Sequence, residues 1–173
     1  MSNVREHAVV ALGANLGDRL ATMREAVARI ARLPGTSLVA ASHTFDTAPV
    51  GPPDQPRYLN AAVLVETSLA PRALLEGLLA IEASLGRARS TTRWIARPID
   101  LDIILFGNAV VADGDLQIPH PRFRERAFVL LPIAEIAANA CDPVTGETVE
   151  SLLRACPGRA DAVRVGPLVE HRA

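Results

Sequence analysis

The chain contains no lysine: all 18 of its basic residues are arginine. That absence removes whole mechanisms, because a Schiff-base enzyme, a pyridoxal-phosphate enzyme and a Walker-type P-loop each depend on a lysine side chain. Aromatic residues make up only 3% of the chain, so the position of each one carries weight. The two cysteines, Cys141 and Cys156, have neither metal-site nor redox spacing and are expected as reduced core filler. No run approaches the ~18 apolar residues of a membrane span, and residues 1–6 contain no apolar signal core. A soluble, cytoplasmic protein with no membrane partner is expected. The net charge of −1 lacks the basic surplus of a nucleic-acid binder, so any anion site must be a local arginine cluster.

What is present fits one domain over residues 1–173, expected to act as a monomer. With 49% hydrophobic content, a chain of this length buries about 70% of the surface it exposes when unfolded. Its most informative feature is the pair Asp100 and Asp102, one residue apart in the β-type run Ile99-Asp100-Leu101-Asp102-Ile103-Ile104-Leu105-Phe106. A strand sends residues i and i+2 to one face, with Cα atoms roughly 7 Å apart. Two like charges on a half-buried surface destabilise it unless a cation or donors lie between them, and at oxygen ligands the expected cation is Mg²⁺.

Four arginines, Arg87, Arg89, Arg93 and Arg97, lead directly into that pair. Their segment has neither helical nor strand periodicity and ends at Pro98, which reads as a loop. Arginine binds phosphate oxygens bidentately, and the acids would hold metal on the same oxygens, so the combination suggests a divalent polyphosphate site. A solvated loop whose arginines pair with nearby acids is the alternative.

Element order follows from periodicity. A strand over His7–Leu12 precedes a Gly-Ala-Asn-Leu-Gly turn, and Asp18 is placed to cap a helix over about 19–33 carrying Leu20, Met23, Val27, Ile30 and Leu33. A β-rich stretch over Ser37–Ala48, a proline-loaded loop over Pro49–Pro56 and a strand over Tyr58–Thr67 follow. Pro71 opens a second helix that carries Leu74, Leu75, Leu78, Ile81 and Leu85. The acid-bearing strand completes β-α-β-β-α-β. This order predicts an α+β, ferredoxin-like core with helices packed on an antiparallel sheet. A small hairpin over 108–118, a helix over 126–138 and a short helix over 148–156 form a C-terminal helical extension, whose last thirty residues are expected to contribute packing.

Several side chains depart from simple folding logic. Glu82 falls inside the apolar arc of the second helix, where it either pairs with an arginine of the following loop or reaches water from the helix end. The turn Gly13–Asp18 joins a strand to a helix, a common phosphate position, but tight-turn geometry alone accounts for it. His120 is held between Pro119 and Pro121, which suits a fixed hydrogen-bonding role. Three separate segments around the expected site supply aromatic residues, Tyr58 in one, Trp94 in another, and Phe123 and Phe128 after His120, with Phe123 read as core. A flat heteroaromatic ligand would use such surfaces, and Asn60, two residues beyond Tyr58 on one strand face, offers both donor and acceptor.

Four blocks carry a resemblance: Ala11–Asp18; Pro49–Pro52 with Tyr58–Ala62; Arg97–Ile103; and Pro119–Phe123 with Arg126–Phe128. Together, in order over roughly residues 8–139, they resemble the 6-hydroxymethyl-7,8-dihydropterin pyrophosphokinases of the folate pathway. The resemblance implies a ferredoxin-like core and transfer of the β,γ-diphosphate of ATP to the pterin's hydroxymethyl oxygen, with release of AMP. It implies that Asp100 and Asp102 hold two Mg²⁺ ions, and that Arg87 and Arg97 contact the phosphates and stabilise transition-state charge. Arg89, Ile103, His120 and Arg126 would contact the nucleotide. Tyr58 and Phe128 would sandwich the pterin, Asn60, Thr47 and the main chain near Val50 would read its polar edge, and Trp94 would ride on a closing loop. Ile95, Leu79 and Pro121 stand where many or some members carry glycine, glutamine and tyrosine, so lid closure and those nucleotide contacts are not carried over. Two other readings are a nucleotidyl transferase or cyclase, which would release pyrophosphate, and a non-catalytic nucleotide- or pterin-binding module.

Overall fold

The computed structural model describes residues 4–49, 51, 54–86 and 98–170. Strand β1 (Glu6–Ala14) leads into helix α1 (Arg19–Ile30), then β2 (Thr36–Ala41), β3 (His43–Thr47), β4 (Tyr58–Thr67), α2 (Pro71–Ser84) and β5 (Asp100–Phe106). Asp18 caps α1 as expected, its carboxylate accepting the Ala21 N–H at 3.1 Å. The helix ends at Ile30 rather than Leu33. Arg32 and Leu33 close with tighter i→i+3 bonds to Arg29 and Ile30, and Pro34 biases the residue before it away from helical geometry.

The β-rich stretch predicted over 37–48 is two strands laid end to end along β4. Ser42 separates them: its N–H donates to the Ala62 carbonyl and its hydroxyl accepts the Ala62 N–H, each at 2.9 Å. The sheet runs β5-β1-β4-β3 with antiparallel pairing throughout, as the ferredoxin-like order requires. A strand that the sequence reading lacked, β8 (Val163–Pro167), adds to the outer edge of β3. The last thirty residues therefore extend the sheet as well as pack against it.

Both faces of the sheet are covered. Ala8, Val10, Leu12 and Ala14 of β1 point into a core with Met23, Val27 and Ile30 of α1 and Leu74, Leu78 and Ile81 of α2. Val9, Ala62, Ile104 and Leu105 point the other way, against α3 (Ala127–Ala137) and α4 (Val149–Ala155). A separate hairpin, β6 (Val111–Asp113) and β7 (Leu116–Ile118), follows β5. Among the described residues, no helix is long and apolar enough to cross a membrane.

One irregularity decides the site. Val9 opposes Leu105 while Val10 opposes Ile103, so Ile104 is an extra residue, a β-bulge in β5. Side-chain parity reverses across such an insertion. Ile104 and Leu105 both face α3, and below the bulge Ile103 and Leu101 turn into the α1–α2 core. Asp102 and Asp100 are thereby set on the α3 face. In a regular β5 that kept Leu105 opposite Val9 and had no bulge at Ile104, both carboxylates would be directed into the apolar core.

Candidate active site

Asp102 opposes Ala11 and Asp100 opposes Gly13, and both acids are half-buried. Gly13 also opposes Asn60 on its other side. A Cβ built at Gly13 would lie 3.2 Å from Asn60 Oδ1 and 3.9 Å from Tyr58 Cδ1. The bare glycine therefore forms a floor between the acid pair and the polar amide. A glycine within a strand is a recognised sign of close approach, and that signal in the sequence could have identified this role.

Beyond the floor, Asn60 Nδ2 donates to Thr47 Oγ1 at 2.6 Å, and both side chains are buried. This bond fixes the orientation of the amide. Tyr58 opposes Thr47 across the β3–β4 ladder and is half-buried on the same face. The sequence-predicted trio Thr47, Tyr58 and Asn60 is thus one contiguous surface beside Gly13.

On the other side of the acids, His120 donates its main-chain N–H to the Ile104 carbonyl at 3.0 Å. Its Nδ1 accepts the Arg122 N–H at 3.3 Å, a role that requires the imidazole neutral at that nitrogen. Burial, with the neighbouring Arg126 and Arg122, lowers the His120 pKa, while Asp100 works to raise it. Arg126 is the residue from which α3 starts, without a side-chain capping bond, and lies over the Phe128 ring, 5.7 Å from its centroid. Burial and Arg122 lower the Arg126 pKa, and the charges of Asp102, Glu125 and Asp100 oppose that shift. His120 and Arg126 therefore stand within the electrostatic reach of the acids.

Glu82 does not reach water: it is 4% exposed and accepts the Leu101 N–H at 2.7 Å, between the two acids. Helix α2 is thereby fastened to the acid-bearing strand. Ile103 turns its side chain into the α1–α2 core, so a nucleotide contact there must come from its main chain. Phe123 is fully buried beneath α3 and α4, as read from the sequence. In the Gly13–Asp18 turn, Asn15 is buried with its Nδ2 3.5 Å from the Pro56 carbonyl, and Asp18 serves as a helix cap. Val50, Arg87, Arg89, Arg93, Trp94, Ile95 and Arg97 lie outside the described residues.

The sequence reading also missed the network at the foot of β3 and β4. Arg57 and Arg19 both engage the Asp46 carboxylate, and Arg19 additionally donates to the Arg57 carbonyl at 3.0 Å. A concavity of about 460 Å³ lies elsewhere, toward the end of α3, with Val9, Leu64 and Leu105 in its wall. Its lining includes neither acid, so chemistry rather than volume selects the site.

The donor set suits Mg²⁺. That ion is commonly held by one or two carboxylates together with substrate phosphates and water, rather than by a full protein cage. Among the described residues, no cluster of three or more His, Cys, Asp or Glu offers such a cage.

Known proteins resemble this chain in sequence and in fold. The chain is 47% identical over 146 residues to a 2-amino-4-hydroxy-6-hydroxymethyldihydropteridine pyrophosphokinase of Methylorubrum extorquens, covering 84% of this chain and 90% of that protein. It is 45% identical over 136 residues to the protein of the same name from Bacillus subtilis, covering 79% of each. Among solved structures, a Plasmodium falciparum HPPK-DHPS mutant superposes with a TM-score of 0.72 at 14% identity, covering 89% of this chain. This chain spans 44% of that longer one, and the likeness speaks to fold alone. The family model described as 7,8-dihydro-6-hydroxymethylpterin-pyrophosphokinase matches residues 9–138. By sequence and fold together, the chain belongs to the 7,8-dihydro-6-hydroxymethylpterin-pyrophosphokinase family.

Proposed function

We propose that this pyrophosphokinase moves the β,γ-diphosphate of ATP onto the hydroxymethyl oxygen of 6-hydroxymethyl-7,8-dihydropterin, releasing AMP, as a step of folate synthesis in the cytoplasm. The observation that carries this reading is the shared floor at Gly13, with Asp100 on one side and Asn60 on the other. A phosphate-side acid pair and an amide suited to a heteroaromatic edge are thereby held on one sheet face.

Asn60, locked by Thr47, and the main chain near Val50 read the pterin's polar edge, while Tyr58 and Phe128 supply the stacking surfaces. His120, Arg126 and the main chain of Ile103 meet the nucleotide, together with Arg89. Arg87 and Arg97 neutralise charge on the transferred group, and Trp94 belongs to a loop that excludes water after both substrates bind. In the transfer, the hydroxymethyl oxygen bonds to the β-phosphorus, the bond to the α–β bridging oxygen breaks, and the hydroxyl proton is lost. Asp100 and Asp102 would hold two Mg²⁺ ions, which when bound neutralise phosphate charge and lower the pKa of a coordinated hydroxyl. Positioning and charge neutralisation supply most of the catalysis in such a reaction. One chain carries every residue named, so a monomer suffices.

The test is to incubate the protein with Mg²⁺, ATP and 6-hydroxymethyl-7,8-dihydropterin and separate the nucleotide products. Pterin-dependent AMP is expected. Stoichiometric ADP, release of pyrophosphate, or no pterin-dependent turnover would each overturn the assignment.

A further inference from the structure

The family match ends at residue 138, yet the chain beyond it returns to the site. Strand β8 pairs with β3, placing Arg164 opposite Phe45 and Val163 opposite Asp46. There the ladder stops, one residue short of Thr47. Past its end, Asp161 accepts the Ala48 N–H on its Oδ2 at 2.9 Å. A side-chain carboxylate thus takes the place of a strand carbonyl, and a hydrogen bond to a charged acceptor is stronger than the neutral bond it replaces.

The contact falls at a sensitive position. Ala48 is flanked by Thr47, whose hydroxyl orients Asn60, and by Pro49, which has no N–H of its own. Between them, the Ala48 N–H is the donor available to fix where the end of β3 points. The same residue also reaches β4, since the Asp161 carbonyl lies 3.4 Å from a terminal nitrogen of Arg57, the residue before Tyr58. Thr47 and Tyr58 oppose one another across these two strand ends.

We infer that Asp161 is a positioning residue for pterin recognition: from the C-terminal segment, it holds the end of β3 so that Thr47 and Asn60 keep the spacing that reads the ligand's polar edge. This rests on the pterin reading above. Asp161 is exposed and outside both cores, so its replacement tests positioning without dismantling the fold.

The experiment compares Asp161→Ala and Asp161→Asn with the wild-type chain, varying the pterin at saturating Mg-ATP and then ATP at saturating pterin. Asp161→Ala is expected to raise the pterin KM about tenfold, in line with the loss of one charge-assisted hydrogen bond, and to leave the ATP KM unchanged. Asp161→Asn should restore most of the affinity, because its amide oxygen still accepts the Ala48 N–H. An unchanged pterin KM in Asp161→Ala, a parallel rise in both KM values, or failure of Asp161→Asn to recover would each overturn the role. Absence of pterin-dependent AMP formation by the wild-type chain would instead overturn the functional assignment, and this inference with it.

Discussion

The main-chain N–H of His120 donates to the carbonyl of Ile104, the extra residue of the bulge that turns Asp100 and Asp102 out of the α1–α2 core. One local deformation therefore sets two parts of the site. The bulge chooses the face on which the acids stand, and its carbonyl anchors the histidine beside them. Bulges re-aim side chains next to active sites in this way.

On the proposed metal-holding role of Asp100 and Asp102, their replacement should separate activity from folding. Asp100→Ala and Asp102→Ala are each expected to reduce kcat by at least ~100-fold, since loss of even supporting residues around a metal weakens it by 10–100-fold. Far-UV circular dichroism should be unchanged. Chelation of the wild-type enzyme should abolish turnover and added Mg²⁺ restore it. Turnover that survives either substitution or the chelator would remove the metal role.

Gly13 offers a test of the floor. Its backbone is that of an ordinary strand, so alanine is conformationally acceptable, but the new Cβ would press on Asn60 Oδ1 at 3.2 Å. The amide must yield by a few tenths of an ångström. Gly13→Ala should raise the pterin KM by about tenfold, an effect on the order of one displaced hydrogen bond, with a smaller change in the ATP KM. Steady-state kinetics with each substrate varied would check this, and an unaltered pterin KM would show that Asn60 does not read the ligand.

These cases mark what could be read from the chain and what could not. The acid pair, the element order and the Tyr58–Asn60 surface were legible because period-2 and period-3.6 patterns fix the facing of side chains locally. The face taken by the acids was not. It depends on the parity of one inserted residue, and Ile104 has the same apolar character as its neighbours. Strand β8 was missed for a related reason: Val163, Arg164 and Val165 remain exposed at a sheet edge, so no buried alternation marks them. Glu82 was visible as an anomaly, but its acceptor role depends on the Leu101 main chain, which leaves no sequence signal.

Glu82 links fold and site, and its two obvious variants should differ. Glu82→Ala leaves the Leu101 N–H without this acceptor, a loss of roughly 1–3 kcal/mol for a buried donor. For a chain of this size that corresponds to a melting temperature lower by about 2–4 °C per kcal/mol. Because Leu101 lies between the acids, kcat should fall as well. Glu82→Gln retains an oxygen acceptor and should preserve most of both properties. Thermal unfolding alongside turnover would check this; equal behaviour of the two variants would show that the hydrogen bond is not what matters.

A second buried carboxylate gives an acid limb to stability. Asp142 is 0% exposed, accepts from Arg124 on both oxygens, and takes bonds from the Val144 N–H at 2.9 Å and the Thr145 hydroxyl at 3.0 Å. The Arg124 guanidinium is the largest cause that holds its pKa down, from the ordinary 3.8 to about 2. A depressed carboxyl contributes stability that is complete above its unfolded-state value and is lost as the pH falls through the folded one. The contribution should therefore be fully present at pH 5 and above and should vanish as the pH drops toward 2, an effect on the order of 1 to 2 kcal/mol. Asp142→Asn should be less stable than wild type at pH 7 by about that amount, and urea midpoints of the two should converge as the pH approaches 2. Glu25, Glu125 and Glu135 are also held low by arginine or histidine partners, but they are common to both chains and cancel in the difference. Midpoint curves that stay parallel from pH 7 to pH 2 would show that the Asp142 charge contributes nothing to holding Arg124, and with it the segment from His120 to Phe128, in place.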